Sequence, residues 1–366
     1  MNISTLREHI LQPLQTVSSV VERRQTLPIL SNVLLSVKNG KLTMTGTDLE
    51  VEMVAHVDIE HDGEGDITLP ARKFVDICRA LPENAKLEIT IEQEKAKIRS
   101  GRSRFTLATL SAAEFPNIEP IDSPFEFTIT QQELKKLIEQ TQFCMAQQDV
   151  RYYLNGLMFE LGNDKLKAVA TDGHRLALCE IDTNIAISEP RQVIVPRKGI
   201  TELARLLEDS DTTARIQLGE NHIRIDLPTI SFTSKLIDGK FPDYQQVIPA
   251  NSDKKVECNR EILHQAFHRA SVLSNEKYRG MRINLSSNLL KATVHNPEQE
   301  EAEEEVEVNY EGPEFEIGFN VSYFLDALSA VKSENVTVLL TDSNHSCLVH
   351  GSDDENSRYV IMPMRL

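Results

Sequence analysis

Apolar positions recur along this chain with two different periods. Over residues 6–21, 131–143 and 260–270 they fall at intervals of three and four, which predicts three amphipathic helices. A second set of helical patterns covers residues 70–81, 196–207 and 320–331, the last carrying Val321, Leu325 and Leu328 on one face. Between them, Lys41-Leu42-Thr43-Met44, Ala214-Arg215-Ile216-Gln217-Leu218 and Thr337-Val338-Leu339-Leu340 predict half-buried strands.

These patterns form a repeat. Leu27-Pro28-Ile29-Leu30-Ser31-Asn32-Val33-Leu34-Leu35 leads to Thr47-Asp48, Tyr153-Leu154-Asn155-Gly156-Leu157-Met158-Phe159 to Thr171-Asp172, and Tyr278-Arg279-Gly280-Met281-Arg282-Ile283 to His295-Asn296. The anchors at 48, 172 and 296 keep a constant interval of 124. Phe115-Pro116 and Phe241-Pro242 close the first two copies with the same turn. The fold class is therefore α+β, with three similar domains at 1–124, 125–250 and 251–366, each with two helices and antiparallel strands. Pro120, Pro124 and Pro249 fall where linkers are expected.

Composition narrows the function. No apolar run approaches the ~18 residues of a membrane helix, and the amino-terminal residues lack the pattern of a signal peptide, so a cytoplasmic protein with no membrane partner is expected. Five scattered cysteines with no Cys-x-x-Cys pair read as reduced, mostly buried thiols. The net charge of −17 disfavours tight phosphate binding by the surface as a whole.

The acids concentrate in the last third, in Glu298, Glu300, Glu301, Glu303, Glu304, Glu305 and Glu307. This run is either a solvated acidic loop or one half of a docking surface. The first third supplies a complementary basic stretch with Arg102, Arg104, Phe105 and Leu107. Docking these residues against Val272, Leu273, Glu300 and Glu303 of a second chain gives a head-to-tail contact that two copies close into a six-domain ring. A domain of this length has a radius of gyration of roughly 14 Å, so six of them enclose a hole on the order of 35 Å across, wide enough for a nucleic acid duplex.

Arg7, Arg24, Arg72, Lys73, Arg79, Lys135, Lys136, Arg197 and Lys198 are then the bases available to face that hole, and Gln148, Tyr152 and Tyr153 add polar and aromatic contacts. Catalytic chemistry has one candidate, Asp172 with His174, which leaves a hydrolase-like enzyme as the alternative reading. Against it, the equivalent positions Asp48 and Asn296 lie in ordinary turn sequences. A structural repeat scaffold with no nucleic acid partner is a third reading. His264 and His268 sit four apart without a metalloprotease glutamate and read as helix packing, and no glycine-rich phosphate loop is present. No metal and no cofactor are expected.

Several stretches together resemble the bacterial β sliding clamp family: Thr26-Leu27-Pro28-Ile29-Leu30, Gly46-Thr47-Asp48-Leu49-Glu50, Ser100-Gly101-Arg102-Ser103-Arg104-Phe105, Gln148-Asp149-Val150-Arg151-Tyr152-Tyr153-Leu154-Asn155-Gly156, Ala170-Thr171-Asp172-Gly173-His174-Arg175-Leu176, Leu273-Ser274-Asn275-Glu276-Lys277 and the terminal Met362-Pro363-Met364-Arg365-Leu366. The resemblance spans the chain. It implies three DNA-clamp domains per chain, a head-to-tail homodimer around duplex DNA with helices lining the hole, and no catalytic activity. It further implies loading by a clamp loader and tethering of polymerase subunits and repair polymerases through short peptide motifs. By resemblance, Arg24, Arg72, Gln148, Tyr152 and Tyr153 contact DNA. A peptide pocket draws on Leu154, Thr171, Gly173, His174, Arg175, Leu176, Pro242, Val247, Asn320, Tyr323, Ser346, Val360, Met362, Pro363, Met364, Arg365 and Leu366. Gln246, Tyr278 and Asn344 also belong to that pocket, and there this chain departs from the family's usual base, phenylalanine and apolar residue.

Overall fold

The structure is a computed structural model that describes residues 1–22, 27–92, 94–116, 118, 125–162, 164–183, 185 and 190–365. Arg24, Thr26, Pro120, Pro124 and Leu366, all singled out above, lie outside the described residues. The chain forms two compact units, one of residues 1–134 with 198–236 and the other of 135–197 with 237–366.

The described residues contain six α-helices: α1 (Arg7–Ser18), α2 (Ala71–Ala80), α3 (Gln131–Glu139), α4 (Arg197–Leu206), α5 (Arg260–Ser271) and α6 (Val321–Ala330). Each sits where the periodicity predicts one, within a few residues. Leu6, expected in α1, instead ends the strand Asn2–Leu6, which pairs with Lys86–Glu92. Helix α3 stops short of residue 143 because Thr141 turns back, its hydroxyl donating to the Leu137 carbonyl at 2.6 Å, and a 3-10 turn over Gln142–Cys144 follows. The blocks at 27–35 and 153–159 do not start as strands. Pro28 fixes its φ and opens a 3-10 turn over Pro28–Ser31, and Tyr152–Leu154 forms the matching turn in the second copy.

The first unit is built on an eight-stranded antiparallel sheet in the order Phe125–Thr130, Thr213–Leu218, His222–Asp226, Ile230–Lys235, Val51–Asp58, Lys41–Thr47, Asn32–Lys38, Gly65–Pro70. Helix α1 packs on it through Ile10, Leu14 and Val17. Gly46 permits the approach, since a Cβ there would lie 2.0 Å from the Val17 carbonyl oxygen. A five-stranded sheet ends in the edge strand Ser103–Ala108.

The second unit repeats the plan with an eight-stranded sheet in the order Arg191–Pro196, Gly156–Gly162, Lys165–Thr171, Arg175–Asp182, Asp354–Ile361, Cys347–Gly351, Asn335–Leu340, Lys254–Asn259. Helices α5 and α6 pack through Phe267 and Phe324, edge to face at 5.5 Å. A four-stranded sheet ends in the edge strand Glu301–Glu307. In each unit one strand pair joins residues from different sequence repeats: Val51 faces Ser234 in the first and Arg175 faces Ile361 in the second. Compact packing therefore follows the hydrogen-bonded sheets rather than the 124-residue interval.

One sequence expectation changes here. Most of the acidic run, Glu301–Glu307, is a strand, with Glu298 and Glu300 in the turn segment before it, and it is partly neutralised by its neighbours: Lys291 pairs with Glu303 at 2.6 Å, and Arg269 forks onto Glu304 at 2.8 and 2.6 Å. His264 and His268 stack on one another along α5, with ring centroids 6.5 Å apart; His268 is exposed, and half-buried His264 sits 3.2 Å from the Ser329 hydroxyl of α6. Of the five free cysteines, Cys78, Cys144, Cys179 and Cys347 are buried and Cys258 is half-buried. No helix among the described residues is long and apolar enough to cross a membrane.

Candidate functional site

The Thr-Asp anchor folds the same way in both copies. Thr171 donates its hydroxyl to the Arg175 carbonyl at 2.6 Å and accepts from the Gly173 amide at 3.1 Å. Asp172 Oδ1 accepts from the amides of His174 and Arg175 at 2.9 and 3.0 Å. In the first copy Thr47 makes the matching pair of bonds with Val51 and Leu49, and Asp48 Oδ1 with Glu50 and Val51. The carboxylate that an enzyme reading requires is therefore occupied as a turn cap. Its second oxygen takes the Arg175 Nε at 3.1 Å, and among the described residues no hydrogen bond joins it to the exposed His174 ring.

The copies differ in what the turn carries. Both place a left-handed residue at its tip, Leu49 at φ 78° and Gly173 at φ 88°. The missing side chain at Gly173 leaves room for Arg151, whose guanidinium nitrogens would lie 2.9 and 3.0 Å from a Cβ there. Arg151 in turn holds Asp149 through Nε at 3.0 Å and Nη2 at 2.9 Å, and reaches the Asp172 carbonyl at 3.3 Å. That hydrogen-bonded guanidinium holds the Asp149 carboxyl down to about 2.

Beside this turn opens a cavity of about 220 Å³ lined by Arg151, Leu154, Thr171, Gly173, Arg175, Leu176, Pro242, Asp243, Tyr244, Val247, Ser346, Val360 and Met362. It is smaller than the ~300–1,000 Å³ of sites that enclose a whole drug-sized ligand, so it suits one or two apolar side chains of a longer partner. Its floor belongs to a core cluster of Leu154, Leu176, Tyr244 and Val360, while Val247 and Met362 are 48% and 47% exposed at the mouth. Tyr244 donates to Glu160 at 2.8 Å, and burial, then that carboxylate, push its phenol up, so it stays a neutral donor.

The polar wall is rigid. Arg175 lies between the rings of Tyr323, 4.5 Å from its centroid, and Phe143 at 5.6 Å. Its guanidinium also donates to Asp326 and to the Phe143 carbonyl. Cation–π contact and ion pairing thus fix a side chain that is only 13% exposed.

Ten of the residues expected in a pocket line this cavity: Leu154, Thr171, Gly173, Arg175, Leu176, Pro242, Val247, Ser346, Val360 and Met362. Arg151, Asp243 and Tyr244 line it as well and were not expected, although each adjoins a motif already noted. The remaining candidates lie outside the lining. His174 is exposed at the turn, its carbonyl accepting from the Met362 amide at 3.0 Å. Gln246 holds Asp243 at 2.7 Å, and the Asn344 amide caps on Asp342 at 2.8 Å. Asn320 caps α6 and reaches the Tyr278 carbonyl at 3.4 Å, while Tyr323 stacks on Arg175. Pro363 and Arg365 follow Met362 along the terminal segment, and the Met364 amide bonds the Gly318 carbonyl at 2.7 Å.

The loop before the cavity carries the other candidates. Gln148 takes a left-handed φ of 55°, and the loop is pinned by Asn155, which exchanges bonds with Asp149 at 2.9 and 2.8 Å. Tyr152 is 58% exposed and packs edge-on against Tyr153 at 5.8 Å. In the first unit Arg72 and Lys73 stand exposed on the first turn of α2 and form no ion pair among the described residues. Other expected bases are tied up: Arg7 donates to the Cys78 carbonyl, Arg197 to the Met145 carbonyl, and Lys198 pairs with Glu22 and Asp48.

The proposed docking residues lie on or beside two edge strands. Arg102 and Arg104 are exposed at the outer hairpin and Phe105 is half-buried. Leu107 is not available for docking, being 8% exposed within its own unit because alternation turns it inward opposite Ala96. In the second unit Val272, 71% exposed, Leu273 and Glu300 line a cleft of about 520 Å³, and Glu303 lies on the neighbouring edge strand. Among the described residues no group of His, Cys, Asp and Glu could hold a metal ion.

Three family profiles match in tandem. The N-terminal, central and C-terminal domains of the DNA polymerase III beta subunit match residues 1–119, 128–243 and 245–365. The chain is 55% identical to the beta sliding clamp of Pseudomonas aeruginosa, over 100% of both chains. It is 54% identical to that of Escherichia coli K12, again over 100% of both. A crystal structure of the DNA polymerase III subunit beta from Pseudomonas aeruginosa superposes with a TM-score of 0.98 at 54% identity, covering 100% of each chain. A sliding clamp from the same organism bound to griselimycin superposes at 0.97, with the same identity and coverage.

Proposed function

We propose how this chain works from one premise: it belongs to the DNA polymerase III beta subunit family, the bacterial β sliding clamps. It is a non-catalytic processivity subunit, and two copies make a head-to-tail ring of six clamp domains that encircles duplex DNA and tethers the replicative polymerase. Enclosure supplies the physics that a net charge of −17 denies to simple adhesion. A ring needs few phosphate contacts, each individually weak and salt-sensitive, because topology prevents escape while the protein slides.

The domains divide near 124 and 250, and profile spans ending at 119 and 243 support those borders. Arg72, Gln148, Tyr152 and Tyr153 face the DNA, and Arg24 is assigned to the same DNA contact from the sequence resemblance alone. For Arg72 the support is electrostatic, since a base on the first turn of a helix opposes the helix dipole by about 0.3–1 kcal/mol, a cost that a nearby phosphate offsets. The dimer contact sets Arg102, Arg104 and Phe105 of one chain against Val272, Leu273, Glu300 and Glu303 of the other. Support comes from the two edge strands, whose outward backbone groups an added strand would satisfy. Acting on chromosomal DNA, the ring works in the cytoplasm.

Peptide segments of polymerases, the clamp loader and repair proteins anchor in the cavity beside the Thr171-Asp172 turn. The single observation that carries this reading is the exposed apolar mouth of Val247 and Met362 above a rigid, hydrogen-bonded rim. Replacing both, Met362→Ala with Val247→Ala, removes mouth contacts without touching buried atoms. Titration calorimetry with a clamp-binding polymerase peptide is expected to show affinity reduced by about ten-fold, or ~1.4 kcal/mol, while sedimentation still reports a dimer. Unchanged affinity would move the peptide site elsewhere.

A further inference from the structure

The charges around the cavity are not equivalent. Arg151 is neutralised by Asp149, and Arg175 by Asp172 and Asp326. Asp342, on the turn leading to Ser346, has His345 at 2.8 Å. Asp243 alone among the charged residues lining the cavity has no oppositely charged group within ion-pair distance among the described residues. Its partner is the uncharged Gln246 amide at 2.7 Å. Asp243 is also exposed, standing between Pro242 and the buried Tyr244 where the apolar floor meets solvent.

From this we infer that Asp243 is a specificity-determining residue: the pocket of this chain prefers a peptide that carries a lysine or arginine beside its apolar anchor. This inference rests on the pocket reading above and adds to it the chemical class of the partner's flank. The floor buries the anchor and is blind to charge, whereas a cation leaving the cavity past Asp243 meets an unpaired carboxylate and an acid at the same place meets repulsion. Gln246 keeps the carboxylate aimed without cancelling it. A base at 246 would cancel it, so the identity of residue 246 sets whether the preference exists.

The test uses the full-length protein and two capped synthetic heptapeptides that share a Leu-Phe anchor and differ only in Lys or Glu next to it. Fluorescence anisotropy at about 0.01 M salt, where the Debye length is ~30 Å, is expected to show the Lys peptide bound about five-fold more tightly. That preference should fade near 1 M salt, where the Debye length is ~3 Å. Asp243→Asn and, independently, Gln246→Lys should each abolish it. Both residues are exposed, and a thermal melt confirms that each variant is folded. Equal affinity of the two peptides for the parent protein, or a Lys preference that survives in both variants, overturns the inference and leaves the pocket standing. Failure of both peptides to bind overturns the pocket reading itself, and this inference with it.

Discussion

Replacing Arg175 by alanine tests the pocket wall and the packing behind it together. The guanidinium donates to Asp172, Asp326 and the Phe143 carbonyl and is held between two rings, so truncation removes a donor from Asp172 Oδ2, from Asp326 and from that carbonyl, while Asp172 Oδ1 keeps its two backbone amides. Breaking a buried ion pair costs about 3–5 kcal/mol. Here Asp326 is 47% and Asp172 21% exposed and both can recover water, which places the cost at the low end, about 3 kcal/mol or less. Tyr323 then loses the surface it stacks on, and peptide affinity should fall by on the order of ten-fold. Urea denaturation followed by circular dichroism reads the first quantity, and calorimetric titration the second. Arg175→Lys keeps the charge but not the planar fork, and should recover less than half of either loss. Stability within about 0.5 kcal/mol of the parent, together with unchanged affinity, would refute the claim that this side chain organises the wall.

Gly46→Ala drives a Cβ to within 2.0 Å of the Val17 carbonyl, against backbone that cannot swing aside, and should destabilise the first unit by more than about 3 kcal/mol in thermal melts. Gly173→Ala should cost only about 1–2 kcal/mol, as Leu49 already holds φ 78° in the equivalent turn, but it displaces Arg151 and should weaken peptide binding measurably. Burial pushes the thiols of Cys78, despite the opposing Arg7 charge, and of Cys258 up to about 12, so both stay protonated at pH 8; a thiol reagent should label the native protein slowly and all five cysteines rapidly in denaturant. Asp149 has a depressed carboxyl pKa, so its contribution to loop order is complete above the unfolded value of ~3.9 and is lost as pH falls toward 2; its NMR titration midpoint should sit near 2.

Much of this architecture was legible because three copies of one pattern lie in register. The interval of 124 located the turns at Asp48 and Asp172, and these proved to share every capping hydrogen bond. Helix centres were legible from spacing, but their ends were set by local competition, with Leu6 drawn into a strand and Thr141 bonding back to Leu137. The cavity floor could be anticipated from apolar residues in the motifs. Its charged rim could not, since whether Arg151 or Asp243 keeps an uncompensated charge depends on partners that only folding brings close. For the same reason Leu107 read as a docking residue, though strand alternation turns it into its own core. The acidic run read as a solvated loop or as half of a docking surface, because its carboxylates obscure the strand alternation that Ala302 and Val306 supply.

Confinement, rather than adhesion, is the central claim, and one retention experiment addresses it directly. The protein is placed on a nicked circular plasmid by a clamp loader, stripped of free protein by gel filtration in high salt, and divided; one half is then cut once with a restriction enzyme. The account predicts that protein stays with the circle through the salt wash and is released from the linear DNA by sliding off its ends. Equal retention on both forms, or loss from the intact circle in salt, would contradict it.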